Sequence, residues 1–317
     1  MTHPDNRPVA DLCVIIPVKD RRKLLMRALD SVAAQSVLPR QLIVVDNGSS
    51  DGSQQAAREW AARHSALPVE FLFLEERRPG APAARNAGLA EARAEWVSFF
   101  DSDDTMRPGF VAAIAAAATA SPRADIIYWK AVLHACDETV RELRFSRHRL
   151  MFNHIHHAIL ATQRFAARRT LLLRAGGWRD LPIWNDWELG LRLLPASSRA
   201  VALPEVLVDI YAQRQSITGT DFSSRAAALR ATIECALAEM PAGSRQRRNV
   251  LFRYAVVAGH LAAEGSAATA DAMMAHALAD RDARGRTRLA MRLAMRLAFR
   301  WTARGRRGAP DLFATWI

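Results

Sequence analysis

Three carboxylates, Asp101, Asp103 and Asp104, follow a short apolar run that ends at Phe100. An apolar run of this length with polar flanks is typical of a buried strand. Three acids at one strand end repel one another, so folding alone gives little reason to place them there. Divalent cations such as Mg²⁺ or Mn²⁺ bind carboxylate oxygens and commonly share their site with substrate phosphates. The spacing therefore predicts a metal site, and capping of the next segment is the alternative interpretation.

The segment DNGSSDG at residues 46–52 joins a predicted strand to a predicted helix. Asn-Gly and Asp-Gly pairs form turns, so one interpretation is a simple strand-to-helix turn. The second is that Asp46 and Asn47 hydrogen-bond a nucleoside, because a base N–H group needs an acceptor oxygen. Both interpretations stay open from the residues alone.

Two basic segments also lie at predicted helix starts. Arg85 follows the loop GAPA at residues 80–83, where it is either solvated or placed beside the acids to hold them or a nucleotide. Residues 21–23, RRK, occupy the first turn of the first predicted helix, where the helix dipole disfavours cations. A solvated face is the favoured interpretation for these three residues, and attraction of an anionic donor is the alternative.

A tryptophan-rich segment, WNDWELGLRL at residues 184–193, follows a glycine pair that ends a predicted helix. Asp186 stands at the start of the next predicted helix, so one interpretation is a helix N-cap. The other is a partly desolvated general base, with Trp184 and Trp187 as aromatic walls for a sugar.

The histidines and cysteines give weaker signals. His154, His156 and His157 have no matching carboxylate partner, so a metal site is not favoured and contact with an acceptor is left open. The three cysteines are far apart and lack a CxxC spacing, which argues against a disulfide framework and against structural zinc.

Alternating strand-like and helix-like segments position these motifs over the first hundred residues. The predicted strands are 12–18, 41–45, 69–74 and 96–100, and the predicted helices are 21–35, capped by Asp20, 52–63 and 83–92. This alternation predicts an α/β fold with a doubly wound, mostly parallel sheet. Ligands of such sheets bind beyond the carboxyl ends of the strands, so residues 17–20, 46–51 and 101–104 are expected along one edge.

The second half of the chain is predicted to contain fewer strands. A helix over 110–120, a strand over 125–134, short helices over 170–175 and 186–194, and a strand over 206–211 are predicted, while 140–165 is left unassigned. From Phe222 to about residue 280 the pattern is helical, with breaks near 241–243 and Gly265. The chain is therefore predicted to end in a C-terminal helical extension.

Composition limits the compartment and the partners. The N-terminus carries no apolar signal core, and no run reaches the roughly 18 apolar residues of a membrane span, so a cytoplasmic location is predicted. The net charge is +12, but ten arginines and one acid lie between residues 281 and 308. A nucleic-acid binder would carry its basic residues on the folded body, so no nucleic-acid partner is predicted.

The basic tail has a helical repeat. Arginines recur every four residues at Arg288, Arg292, Arg296, Arg300 and Arg304, beside leucines, Phe299 and Trp301. This pattern predicts that 286–304 lies on an anionic membrane surface, which would make the protein peripheral on the inner face of the cell membrane. The alternative is a helix packed on the catalytic domain with its arginines solvated.

Several segments together strongly resemble the family 2 glycosyltransferases, which have the GT-A fold, across roughly residues 11–220. The segments that carry the resemblance are VIIPVKDRRKLLMRALDSVAAQSVLPRQLIVVDNGSSDGS, PAARNAGLAEARAEWVSFFDSDD, GGW and NDWELGLRL. The resemblance implies inverting transfer of a sugar from a nucleotide-diphosphate sugar of UDP, dTDP or GDP type, assisted by Mg²⁺ or Mn²⁺. It also implies a saccharide or lipid-linked acceptor in cell-surface polysaccharide or glycoconjugate synthesis.

The resemblance also assigns roles to residues. It implies that Asp101 contacts the ribose and the metal, that Asp103 binds the metal, and that Asp186 is the catalytic base. The residues expected to bind the nucleotide sugar are Pro17, Val18, Asp46, Asn47, Arg85, Asp101 and Ser102. Those expected to contact the acceptor or the donor-closing loop are Trp184, Trp187, Gln213 and Arg214, beside a family-like loop at 216–219.

Three departures from the family pattern affect donor identity. Lys19 stands where many relatives have an aromatic residue, Asn47 replaces a common Asp, and Asn185 replaces the Glu of a Glu-Asp pair. The predicted domains are a catalytic domain over 1–220, with a nucleotide-binding half over 11–105 and an acceptor-binding half over 106–220. A helical extension over 221–285 and a tail over 286–317 follow.

Two other enzyme or binding classes compete with this prediction. A noncatalytic relative that binds a sugar nucleotide or a membrane is disfavoured by the intact Asp101, Asp103 and Asp186. A nucleotidyltransferase is disfavoured because residues 12–22 lack a glycine-rich phosphate loop.

Overall fold

A computed structural model describes residues 5–145, 149–197, 199–213 and 225–304. Its strands are β1 (Val9–Val18), β2 (Leu38–Asp46), β3 (Glu70–Glu75), β4 (Trp96–Phe99), β5 (Thr105–Met106), β6 (Ile126–His134), β7 (Val140–Leu143), β8 (Phe165–Arg168) and β9 (Ala200–Tyr211). Its helices are α1 (Arg22–Ala33), α2 (Ser53–Arg63), α3 (Ala81–Glu91), α4 (Phe110–Ala120), α5 (Leu150–His157), α6 (Arg169–Arg174), α7 (Asn185–Ala196), α8 (Ala226–Glu239), α9 (Arg245–Ala263), α10 (Ala267–Ala279) and α11 (Arg286–Thr302). The region 140–165, unassigned from sequence, contains β7, α5 and a 3₁₀ turn at Thr162–Arg164.

The described strands form one mixed sheet in the order β3-β2-β1-β4-β8-β6-β9-β5, with β7 beside β6. The strands β3, β2, β1 and β4 are parallel neighbours, whereas β8 runs antiparallel between β4 and β6. The strand order places the ends of β2, β1 and β4 side by side. This arrangement confirms the predicted mostly parallel α/β sheet with C-terminal helices.

The chain divides into two compact units. The first contains residues 1–147, 159–180 and 192–214, and the second contains residues 148–158, 181–191 and 215–317. The predicted linear domain boundaries stay a prediction, and the second unit takes in two short segments from before residue 220.

Each unit has its own hydrophobic core. In the first, β1 supplies Val14 and Ile16, and the buried face of α1 supplies Leu25 and Leu29. In the second, Ile233 of α8, Tyr254 of α9 and Met273 of α10 belong to one buried cluster. The helical residues of both sets follow from apolar positions at helical spacing, because burying one stripe of each helix stabilises such packing. Val14 and Ile16 belong to a strand and lie on the same face of it, two residues apart.

The N-terminus of α1 differs from the prediction. Asp20 does not cap the helix: its φ is +50°, and its Oδ1 accepts the backbone N–H of Ser50 at 2.6 Å. The N-cap residue is Arg21, which has no side-chain capping bond. Asp20 instead ties the loop after β1 to the loop after β2.

Candidate active site

The first aspartate after β4, Asp101, is held by a buried arginine. Arg85 Nη2 donates to Asp101 Oδ1 at 2.7 Å, and the Arg85 side chain is only 8% exposed. The guanidinium also lies 4.6 Å from the ring centre of Trp178. The interpretation that places Arg85 beside the acids is therefore correct, and the solvated alternative is wrong.

The second aspartate, Asp103, is also paired with an arginine. Arg21 Nη1 forms an ion pair with Asp103 Oδ2, and Arg27 donates to the backbone carbonyl of Asp103. A solvated face was the favoured interpretation for Arg21, and the structure shows that it is wrong. Sequence reasoning missed this pair because 82 residues separate its two members and only the folded sheet edge brings them together.

The third aspartate, Asp104, is buried and serves the sheet. Its Oδ1 accepts the backbone N–H of Tyr211, at the end of β9, at 3.0 Å. Burial, followed by the negative charges of Asp101 and Asp103, raises the pKa of Asp104 to about 9. Asp104 therefore anchors β9, while Asp101 and Asp103 remain more accessible.

Asp101 and Asp103 suit a divalent cation that shares its ligands with a substrate. Burial and then the charge of Asp101 raise the pKa of Asp103, which the Arg21 guanidinium opposes. A cation between the two carboxylates would relieve this repulsion, and Mg²⁺ is commonly held by one or two carboxylates plus substrate phosphates. Within the described ranges, no three acidic, histidine or cysteine side chains form a metal site by themselves.

Asp46, at the end of β2, holds a loop with one oxygen and leaves the other unpaired. Its Oδ2 accepts the backbone N–H groups of Gly48 and Ser49, at 3.1 and 3.0 Å, and the Gln54 amide at 2.8 Å. Its Oδ1 is buried without a hydrogen-bond partner. Buried acceptors are nearly always satisfied, so this atom is suited to accept a hydrogen bond from a ligand.

The side-chain amide of the neighbouring Asn47 makes hydrogen bonds within the protein itself. Asn47 Nδ2 donates to the carbonyls of Glu76 and Arg78 at 2.8 and 2.7 Å, and its Oδ1 accepts the Gly80 N–H at 2.8 Å. These three bonds hold the loop between β3 and α3. The amide thus has a structural use that the turn-former interpretation did not include.

The other residues predicted for the nucleotide lie nearby in the first unit. Pro17 and Val18 end β1, where Val18 pairs with Asp46 across the parallel register. Ser102, which lies between Asp101 and Asp103 in the sequence, is buried. The structure therefore brings the predicted residues of β1, β2 and β4 to one sheet edge.

Asn86 and Trp178 belong to this site and were not predicted from sequence. Asn86 Nδ2 donates to the Trp178 carbonyl at 2.7 Å, and its Oδ1 accepts the Trp178 N–H at 2.8 Å. A Cβ at Gly177 would collide with Asn86 Oδ1, and Gly177 has a φ of +66°, which favours glycine. The sequence GGW therefore contains a signal: its glycine permits the approach that fixes the indole beneath Arg85.

Asp186 lies in the second unit, at the second residue of α7. Its Oδ1 accepts the backbone N–H of Trp187 at 2.8 Å, which is a helix-terminus contact. Trp184, two residues before Asp186, has a φ of +55°, a left-handed conformation that is strained for an aromatic residue. Trp187 is only 2% exposed and donates to the Ile155 carbonyl at 3.0 Å, so it packs in the core of this unit.

The remaining predicted contacts are few. Gln213 Nε2 donates to the Tyr211 carbonyl at 3.3 Å. Arg214 and the loop 216–219 lie outside the described residues. His154 Nε2 donates to the Trp187 carbonyl at 2.8 Å, so the ring of His154 supports α7.

Comparison with known proteins gives a family match over about half of the chain. Residues 13–170 match the sequence profile described as Glycosyl transferase family 2. Glycosyltransferase GlyA of Streptococcus pneumoniae serotype 4 is 33% identical over 100 residues, which are 32% of this chain and 14% of that protein. Succinoglycan biosynthesis protein ExoO of Rhizobium meliloti is 32% identical over 111 residues, 34% of this chain and 30% of that protein. The chain thus spans less than a third of the length of these relatives.

A solved structure is similar along most of the chain. The mannosyltransferase PcManGT from Pyrobaculum calidifontis, in complex with GDP-Man and Mn²⁺, aligns with a TM-score of 0.60 at 20% identity. The alignment covers 95% of this chain and 85% of that one. This likeness supports the GT-A fold predicted from sequence.

Proposed function

Because the chain belongs to glycosyl transferase family 2, we propose that it transfers a sugar from a nucleotide-diphosphate sugar to a hydroxyl group of an acceptor. One observation carries the proposal: Asp46 offers a buried, unpaired acceptor at the same sheet edge as the arginine-held Asp101 and Asp103. A nucleoside supplies the hydrogen-bond donor, and a diphosphate supplies negative charge for the cation that the two aspartates suit. Residues 1–220 are proposed as the catalytic domain.

Asp101 and Asp103 would hold the metal. A Mg²⁺ or Mn²⁺ ion bound there would neutralise charge on the leaving diphosphate. Arg85 and Arg21 orient the two carboxylates, so that their free oxygens point to a defined place before the donor binds. The mannosyltransferase named above was solved with GDP-Man and Mn²⁺, which supports a metal of this type.

Asp186 is proposed as the general base of an inverting reaction. Its carboxylate takes the proton of the acceptor hydroxyl while that oxygen attacks the anomeric carbon. The bond from the anomeric carbon to the diphosphate oxygen breaks in the same displacement, which inverts the configuration. The strained Trp184, two residues before Asp186, offers an aromatic face for the acceptor sugar.

The acceptor is proposed to be a saccharide or lipid-linked saccharide in cell-surface polysaccharide or glycoconjugate synthesis. The relative ExoO, named for succinoglycan biosynthesis, supports this class of product. A noncatalytic relative that only binds a sugar nucleotide is the alternative.

We further propose that α11 attaches the protein to the cytoplasmic face of an anionic membrane. Its large apolar residues Leu289, Leu293, Leu297 and Phe299 are exposed, and so are its arginines. Among the described residues, no helix is long and apolar enough to cross a membrane. Attachment by α11 therefore requires charge and partial insertion of side chains, as in an interfacial helix.

Two matched variants test the transfer proposal. Thermal unfolding with UDP-, dTDP- and GDP-sugars, with and without MnCl₂, identifies the donor in the wild-type protein. With that donor, Asp103→Asn should lose the Mn²⁺-dependent stabilisation, because a metal ligand is removed. Asp186→Asn should keep this stabilisation and lose transfer by about 10²- to 10⁴-fold, the usual contribution of a general base.

The results can contradict each part separately. Wild-type transfer by Asp186→Asn would show that the base assignment is wrong. Stabilisation of the wild type by a donor without any measurable transfer to saccharide acceptors would favour the noncatalytic alternative. If no sugar nucleotide stabilises the wild type with or without MnCl₂, the donor proposal fails.

A further inference from the structure

Arg253, in the middle of α9, is a partly buried cation without a protein counter-ion. In the described part of the chain it makes no hydrogen bond or ion pair, and its Nε is buried without a partner. Its guanidinium carbon lies 5.6 Å from the ring centre of Trp184. That cation–π contact faces one side of the guanidinium and satisfies none of its N–H donors.

The groups around Arg253 add no negative charge. His156 of α5 has a buried Nε2 without a partner, and His260 lies two turns further along α9. Burial, followed by the positive charge of Arg253, lowers the pKa of His156 to about 3 and that of His260 to about 4. Both imidazoles are therefore neutral at pH 7, and the charge of Arg253 is uncompensated.

A partly buried arginine without a counter-ion is unfavourable in the protein when no ligand is bound. Removing a charge from water without a partner opposes folding, and burial lowers the pKa of Arg253 to about 10. A methionine of similar length would fill the space without this penalty. Trp184 adds a second unfavourable feature through its positive φ, and such features concentrate at functional sites.

We propose that Arg253, His156 and Trp184 form a binding site for an anionic group, a phosphate or a carboxylate, that the acceptor carries. The inference deepens the proposed function, because Trp184 lies two residues before the proposed base Asp186. A guanidinium presents a planar set of donors that matches the two oxygens of either anion. The neutral His156 can donate one further hydrogen bond through its unpaired Nε2 or accept one there, depending on the tautomer.

The test measures anion binding without requiring transfer. Thermal unfolding of the full chain is followed against inorganic phosphate and, separately, glucuronate, with ionic strength held constant by chloride. Arg253→Met removes the charge, Arg253→Lys keeps it without the planar donors, and Arg248→Met removes another α9 arginine as the control. Arg248 donates to the Gly243 carbonyl at 2.7 Å and is not part of the proposed site.

We expect the affinity for the anions to change only in the variants of Arg253. The anion concentration that gives half of the stabilisation should rise about tenfold or more in Arg253→Met, which is the loss of one strong charge-assisted pair. It should rise less in Arg253→Lys and stay unchanged in Arg248→Met. Without anion, Arg253→Met should unfold at the wild-type temperature or above it.

Two outcomes would overturn the proposal. One is that wild type and Arg253→Met respond equally to both anions. The other is that Arg253→Met and Arg253→Lys both lose thermal stability without anion, which would give the arginine a structural role. A response to only one of the two anions supports the site and identifies its ligand class. Because no sugar transfer is measured, these results stand apart from those for Asp103 and Asp186.

Discussion

At the scale of single residues, Asp46 and Asn47 show how adjacent polar side chains come to serve different purposes. Asp46 keeps one buried oxygen unpaired, whereas Asn47 satisfies both of its N–H donors and one acceptor position within the protein. The loop between β3 and α3 thus depends on the Asn47 amide. An aspartate at this position would place a negative charge against two carbonyl oxygens.

We therefore predict that Asn47→Asp destabilises the protein by about 2–4 kcal/mol, because two buried hydrogen bonds become repulsive contacts. The free energy of unfolding in urea measures the effect. Ser49→Ala is the control, since it changes the same turn but leaves the Asn47 bonds intact. A loss of less than about 0.5 kcal/mol would show that the loop does not depend on this amide.

At the scale of elements, α11 packs on α9 through small and flexible residues. Met291, Ala294 and Ala298 are buried, and a Cβ at Gly259 of α9 would collide with the Met295 carbonyl. The alternative interpretation of the tail was a helix packed on the catalytic domain with its arginines solvated. The observed packing on α9 shares the packed helix with that interpretation. It uses the Met/Ala face, and it leaves the arginines and the row Leu289, Leu293 and Leu297 exposed, with Leu289 at 70%.

The exposed leucines and the exposed arginines of α11 together predict a membrane affinity that depends on charge. Changing Arg292, Arg296 and Arg300 to Gln should lower partitioning to vesicles of phosphatidylglycerol and phosphatidylcholine roughly 100-fold, at about 1 kcal/mol per arginine. Vesicle flotation measures the bound fraction. The matched control changes three exposed arginines of the first unit, Arg63, Arg77 and Arg174, to Gln. Equal losses in both triple variants would show that only net charge matters.

At the scale of the whole molecule, buried histidines couple stability to pH. Burial lowers the pKa of His154 to about 4, and burial together with the charge of Arg253 lowers that of His260 to about 4 and that of His156 to about 3. In the unfolded chain each histidine titrates near 6.5. Between these values the unfolded chain binds more protons than the folded protein, so stability is lost as the pH falls from 6.5 towards 4.

We predict that the free energy of unfolding falls with decreasing pH below 6.5, by up to about 1.4 kcal/mol per pH unit for each histidine. His154→Gln should reduce this slope by about one proton, since glutamine can still donate to the Trp187 carbonyl. His157→Gln, at an exposed position of the same helix, is the control. Urea unfolding at a series of pH values measures the slope, and an unchanged slope in His154→Gln would contradict the prediction.

The order of elements in the first hundred residues and the place of the acidic residues followed from the sequence. Over the first hundred residues hydrophobic periodicity placed the strands and helices to within a few residues, because burial of one face is a local property of the pattern. Between residues 105 and 168 the sequence did not predict β5, β7, α5 or β8. The α/β alternation then placed Asp46, Asp101 and Asp103 at the carboxyl edge of the sheet, since parallel strands end on the same side. The resemblance in the motifs indicated the family, which residues 13–170 confirm.

Only the tertiary structure decided what these side chains contact. Arg21 meets Asp103 across 82 residues of chain, and Asn86 meets Trp178 across 92. Arg253 lies over Trp184 because α9 packs in the same unit as the loop before α7. Periodicity carries no information about such pairs, because their contact depends on the register of packed elements and the rotamers they allow. The sequence thus determined which edge of the sheet holds the acids, and packing determined which arginines are paired with them.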